Sequence, residues 1–176
     1  MKHPLEAIPH GKRLVVFLAL LGAFLVITIG FQFIGPAEPS IVDFELAGTT
    51  CRATQIINAW DMQDSIRAGF NLGLDYLYMP VYSTLLALVC VWGAGVLASR
   101  QWRATGLLLG LGLWAAAIFD AVENVALTVI LFGNVAAPYP QIALVCAMLK
   151  FGLILLGVVF AAVAGVVYLV RKAAHR

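Results

Sequence analysis

Four long apolar runs, at 14–34, 72–98, 104–132 and 142–170, dominate the chain. A helix rises about 1.5 Å per residue, so each run is long enough to cross a hydrocarbon core of about 30 Å. The first run exceeds the apolar part of a signal peptide and no small-x-small cleavage site follows it, so it reads as a retained helix. The links at 99–103 and 133–141 are short, which makes sequential helices run in opposite directions. The pattern predicts an all-α integral membrane protein: a four-transmembrane-helix antiparallel bundle, forming one membrane domain over 1–176.

The segment between the first two runs, 35–70, is the one sizeable piece expected outside the bilayer. Gly35-Pro36 and Pro39 stop the first helix. Residues 41–46 alternate weakly between apolar and polar and predict a short extended piece. Thr49 or Thr50 is placed to cap a helix in which Ala53, Ile56, Ile57 and Trp60 recur at helical spacing, with Asp61, Asp64 and Arg67 mostly off that stripe. This predicts a short amphipathic helix on the outer surface, with Trp60 anchoring it at headgroup level or on the bundle. It serves either as a lid over the helix ends or as a surface for a partner.

Composition agrees with lipid as the solvent. Hydrophobic residues make up 62% of the chain and charged residues 11%, against about a quarter charged in soluble domains. The net charge of +2 points to no nucleic-acid partner, and its distribution is more telling than its sum. Lys2, Lys12, Arg13, Arg100, Arg103, Arg171, Lys172 and Arg176 fall on one side of a four-span topology. Arg52 and Arg67 fall on the other, among Glu38, Asp43, Glu45, Asp61 and Asp64. The excess of positive charge places both termini in the cytoplasm and 35–70 outside it. Gly106 and Gly110, and Ala161 and Gly165, are small-residue pairs spaced for close helix approach. Cys51, Cys90 and Cys146 have no CxxC spacing and read as small apolar filler.

The candidate chemistry lies within the spans. In the third, Asp120, Glu123 and Asn124 share one helical face, which Thr128 extends. In the fourth, Lys150 sits among apolar residues. Glu123 and Lys150 each lie about 13 Å from the outer end of their helix, so an ion pair between them is expected, with Asp120 one turn deeper. In the second, Asp75 is followed on its face by Tyr78 and Tyr82, and Pro80 between them removes a backbone donor. Together Asp75, Tyr78, Tyr82, Asp120, Glu123, Asn124 and Lys150 form the candidate ligand or ion site. Three acids face one base there. The excess calls for protonation, hydration, a bound cation, or an arginine from the outer segment, Arg52 or Arg67.

His3, His10 and His175 lie in the tails, which leaves no histidine for haem or zinc inside the spans and none to activate Ser83 or Thr84. No cofactor and no metal is expected, and no catalytic motif is complete. Charges at the centre of a membrane helix are often functional, although a lysine–acid pair also serves as a register device. Three functions fit: a site that binds or conducts a cation, a proton or a polar or lipid headgroup; a non-catalytic accessory subunit with a membrane-protein partner or as a homo-oligomer; and a membrane enzyme acting on a lipid.

Overall fold

The computed structural model describes residues 3–36, 38–97 and 99–174. Lys2 and Arg176, which enter the charge balance, the tail histidine His175, and residue 98, the expected end of the second span, lie outside them. A 3-10 turn, Pro4–Ala7, leads into α1 (His10–Ile34), α2 (Ile41–Glu45), α3 (Thr50–Ala59), α4 (Met62–Val96), α5 (Arg100–Leu131) and α6 (Tyr139–Ala174). Among the described residues the fold is all-helical, and four helices, α1, α4, α5 and α6, are long and apolar enough to cross a membrane.

Hydropathy marks only the apolar part of each long helix, and side-chain caps set the true ends. Asp61 accepts the amide of Asp64 at 2.8 Å, so α4 begins at Met62, ten residues before its apolar run. Residues 62–70, expected in the outer segment, are therefore its first turns. Ser99 caps α5 by accepting the amide of Trp102. Pro80 is absorbed within α4, which runs on without a break.

Residues 41–46 are not extended. Ser40 and Asp43 form a reciprocal capping box that starts α2. Helical spacing then puts Ile41, Phe44 and Glu45 on one face. Gly48, at φ +66°, turns the chain into α3. The Trp60 indole donates to the Pro39 carbonyl at 2.7 Å and meets the Phe44 ring edge-on at 5.1 Å. Phe44, Ile56 and Trp60 then bury themselves against Leu127 and Ile130 of α5. Trp60 thus clasps the segment to the helix ends.

α5 packs between α4 and α6, and α1 lies chiefly along α4. Small residues set the closest approaches. A Cβ on Gly106 of α5 would stand 2.8 Å from Ala94 of α4 and 2.6 Å from Phe160 of α6. Gly93 of α4 is similarly close to Ala164. The Ala161–Gly165 pair is not at a contact: Gly165 faces open space, while Gly157, Phe160 and Ala164 are buried. At mid-length, Leu88, Cys90 and Leu113 are buried, and the Cys90 thiol donates to the Gly157 carbonyl at 3.6 Å.

His3 is not simply part of a tail. It is 2% exposed, with its ring 4.9 Å from that of Trp114 and its Nε2 close to Gly110. Glu6 accepts its amide, closing the turn that tucks it there.

Candidate functional site

Lys150 projects from α6 into a group of carboxylates. Its Nζ donates to Asp120 at 2.8 Å and Glu123 at 2.9 Å, both on α5, and to Glu45 of α2 at 3.4 Å. These side chains are almost entirely shielded from solvent, Glu123 completely. The second Asp120 oxygen accepts from the Tyr82 hydroxyl at 2.9 Å. A chain of charge-assisted hydrogen bonds therefore joins α4, α5, α6 and α2.

Asn124 forms the second half of the site. One turn along α5 from Asp120, its Nδ2 donates to the Asp75 carboxylate at 2.9 Å and to the Leu72 carbonyl at 3.2 Å. Leu72 lies within α4, where its carbonyl also accepts the amide one turn on, so this oxygen serves two donors, which two lone pairs allow. The Asn124 Oδ1 and the Glu123 Oε2 are buried without a hydrogen-bond partner. Thr128 turns back to the Asn124 carbonyl.

Of the sequence-derived candidates, Tyr82, Asp120, Glu123 and Lys150 thus form one bonded set and Asp75 and Asn124 a second beside it. Tyr78 stands apart from the acids. Its hydroxyl accepts from Thr28 of α1 at 3.2 Å, and its ring packs on Phe24 and Phe31. It ties α1 to α4 and meets the Tyr82 ring at 5.3 Å, and it lines the cavity onto which the site opens.

Glu45 is the residue that the sequence reading missed. Charge counting groups it with the other acids of 35–70, and an extended 41–46 does not put it on the face of Phe44. The Ser40-x-x-Asp43 signal carries the information, because a helix starting there puts Glu45 beside Phe44 on the buried face. Burial pushes the Glu45 carboxyl above its ordinary range, with Lys150 acting in the opposite sense. The segment 35–70 therefore brings a further acid to Lys150, not the expected balancing arginine. Arg52 is exposed, and Arg67, although it lines the same cavity, has Asp64 at 3.8 Å as its one carboxylate within 4 Å among the described residues. Four carboxylates now face one ammonium.

The site opens into a cavity of about 930 Å³. Glu45, Asp75, Asp120, Asn124 and Lys150 form its polar floor. Phe24, Phe31 and Phe33 of α1 and Phe151, Ile154 and Val158 of α6 supply apolar walls. Phe33, Val158 and Phe151 are themselves exposed and form a rim on the outer flank of the helices. Glu123 lies behind the floor and does not reach the cavity. No three ligating groups converge in a metal-holding arrangement among the described residues.

No protein-family model, curated protein or solved structure matches the chain.

Proposed function

We propose that the chain is a multi-pass membrane protein, an antiparallel four-helix bundle with both termini cytoplasmic, whose cavity in the outer half binds an amphipathic ligand by a cationic headgroup. The orientation is supported by Arg13, Arg100, Arg103 and Arg171 gathering at the end that carries the termini. The observation that carries the ligand class is the pairing of an acid-rich floor with apolar walls in one cavity. A volume of about 930 Å³ falls within the range of about 300–1,000 Å³ usual for small-molecule sites.

The floor divides its labour. The pairing of Lys150 with Glu123, which lies behind the floor, holds the helices in register. Glu45, Asp75 and Asp120 face the cavity with more negative charge than Lys150 balances, Arg67 being paired with Asp64, and Asn124 keeps an unused acceptor beside them. A headgroup bearing positive charge restores the balance in a low-dielectric setting, and the aromatic rings of Phe31 and Tyr78 favour a quaternary or alkylated ammonium. The alkyl part then lies along the walls of α1 and α6. Binding fits better than conduction because Leu88, Cys90 and Leu113 fill the middle of the bundle below the floor.

The test uses spin-labelled long-chain trimethylammonium and the spin-labelled sulfate of equal chain length, added to the protein in zwitterionic nanodiscs. The cation is expected to show an immobilised component that the sulfate lacks, and Asp75→Asn with Asp120→Asn is expected to remove it while helix content holds. Equal immobilisation of the two probes, or an unchanged cation signal in the double variant, refutes the reading.

A further inference from the structure

The opposite end of the bundle carries a cavity of the opposite sign. It has a volume of about 960 Å³ and lies where α1, α4 and α5 meet the Pro4–Ala7 turn. Arg13, Arg100 and Arg103 line it, against one carboxylate, Glu6. Glu6 is already engaged: Oε1 accepts from Arg103 at 3.2 Å and Oε2 from the His3 amide at 2.8 Å. The His3 amide and Arg103 hold its carboxyl below the ordinary value, so it counts as one full negative charge.

Arg13 is fixed to the wall by donating to the carbonyls of Ile8 at 3.0 Å and Glu6 at 3.2 Å. Neutral carbonyls orient a guanidinium without cancelling its charge. Arg100 has no carboxylate within 4 Å among the described residues. The cavity is left with two net positive charges. Two further features favour an anion. Ser99 and Arg100, at the amino end of the long helix α5, form part of the lining, so unpaired backbone amides and the positive end of the helix dipole lie at the cavity. The Trp92 indole N–H, on the same lining, is buried without an acceptor. Leu14 and Val91 continue the cavity with apolar surface, and Leu14 is 63% exposed on the flank of α1.

We propose that this cavity holds the phosphate headgroup of an anionic phospholipid from the leaflet nearest the termini. The phosphodiester oxygens are taken by the guanidinium forks of Arg100 and Arg103, with Trp92 as a neutral donor, and the acyl chains pass Leu14 into the bilayer. The second positive charge selects an anionic headgroup over a zwitterionic one, whose amine would meet like charge. Basic pockets between membrane helices are suited to such headgroups. The proposal rests on the membrane placement of the helices and is independent of what the acidic cavity binds.

The experiment counts lipids retained in native mass spectrometry of the whole chain offered phosphatidylglycerol and phosphatidylcholine together, with and without inorganic phosphate. Wild type is expected to retain phosphatidylglycerol selectively, undisturbed by millimolar phosphate. Arg100→Gln with Arg103→Gln is expected to weaken that retention on the order of 10- to 30-fold, from the usual contribution of each basic residue at a membrane surface. Circular dichroism of the variant checks folding, and Arg100→Gln alone, which breaks no ion pair, is expected to give an intermediate loss. Lys172→Gln, at the same end but outside the cavity, is expected to change nothing. Full selectivity in the double variant, an equal loss in Lys172→Gln, or displacement of the lipid by inorganic phosphate would each overturn the proposal.

Discussion

Replacing Lys150 with methionine tests the buried network most directly. The ammonium has three carboxylates at 2.8, 2.9 and 3.4 Å, so its removal strips the only positive charge from their midst among the described residues. Breaking a buried ion pair by deleting one partner costs about 3–5 kcal/mol. Here a ceiling applies. The substitution removes one positive charge, and a single proton taken up by the carboxylates restores the balance. Moving a proton onto a carboxylate with an ordinary value near 4 costs about 4 kcal/mol at pH 7. Methionine also avoids the penalty of burying an ammonium, which lowers the loss further. The expected destabilisation is therefore about 2–4 kcal/mol at pH 7, a fall of roughly 10 °C in Tm for a chain of this size. The proton gives the effect a sign. The folded variant binds one proton more than its unfolded form, so its deficit relative to wild type grows by up to about 1.4 kcal/mol per pH unit as pH rises. Unfolding in mixed micelles, followed by circular dichroism at pH 5.5, 7 and 8.5, measures it. Adding Asp120→Asn to Lys150→Met is expected to recover most of the loss and flatten the pH dependence. A deficit below about 1 kcal/mol, or one independent of pH, refutes the reasoning, because the lysine would then find water or lipid interface instead of these acids.

Other expectations follow from single contacts. Because burial raises the proton affinity of Glu45 in the folded state, the seating of α2 is strongest below the ordinary value of 4.5 and weakens as pH rises through the raised one. Hydrogen exchange of residues 41–46, corrected for intrinsic rates, should show more protection at pH 5 than at pH 8, and Glu45→Gln should abolish the difference. Gly106→Val forces a side chain to within 3 Å of Ala94 and Phe160 and is expected to cost about 1–3 kcal/mol, while Gly165→Val, which meets nothing, leaves the melting curve unchanged. Trp60→Phe keeps the ring but leaves the Pro39 carbonyl without its 2.7 Å donor. A loss of about 1–3 kcal/mol confined to the segment 36–60 is expected, read as faster limited proteolysis there than in wild type.

What the sequence made legible follows from the range of each signal. Hydropathy acts over some twenty residues, so the four long helices and the shared depth of Glu123 and Lys150 could be read from it. Helix ends depend on single caps, which is why Asp61 carries α4 ten residues beyond its apolar run. Residues 41–46 mislead for a related reason. Over six positions, alternation is weaker evidence than one capping box, and the Ser40–Asp43 box decides for helix. Glu45 was lost with that reading, since its direction depends on the element it belongs to. The Ala161–Gly165 pair has the spacing for close approach, but α6 turns Phe160 and Ala164 inward instead. Small-residue spacing states what a face permits, and the partner helices determine which face is used. The position of His3 had no local signal, because the Gly110 and Trp114 surface that receives it lies more than a hundred residues away.

The missed acid changes how the charges should be understood. With three carboxylates and one lysine, an arginine from the outer segment would have completed a closed structural network. Glu45 arrives in its place, while Arg52 is exposed and Arg67, which does line the cavity, pairs with Asp64 and with none of the four acids among the described residues. An assembly serving only register would gain nothing from a fourth carboxylate, because breaking even with one lysine already leaves charge to neutralise. The surplus is also uneven. Glu123 is sealed behind Lys150, whereas Glu45, Asp75 and Asp120 all border the cavity. Three carboxylates therefore border the cavity against Lys150 and Arg67, and Arg67 is already paired with Asp64. That excess of negative charge favours a ligand over a purely structural ion pair. It also makes Asp75, which is bonded to Asn124 and lies beyond the reach of Lys150, the residue whose charge a bound cation would meet first.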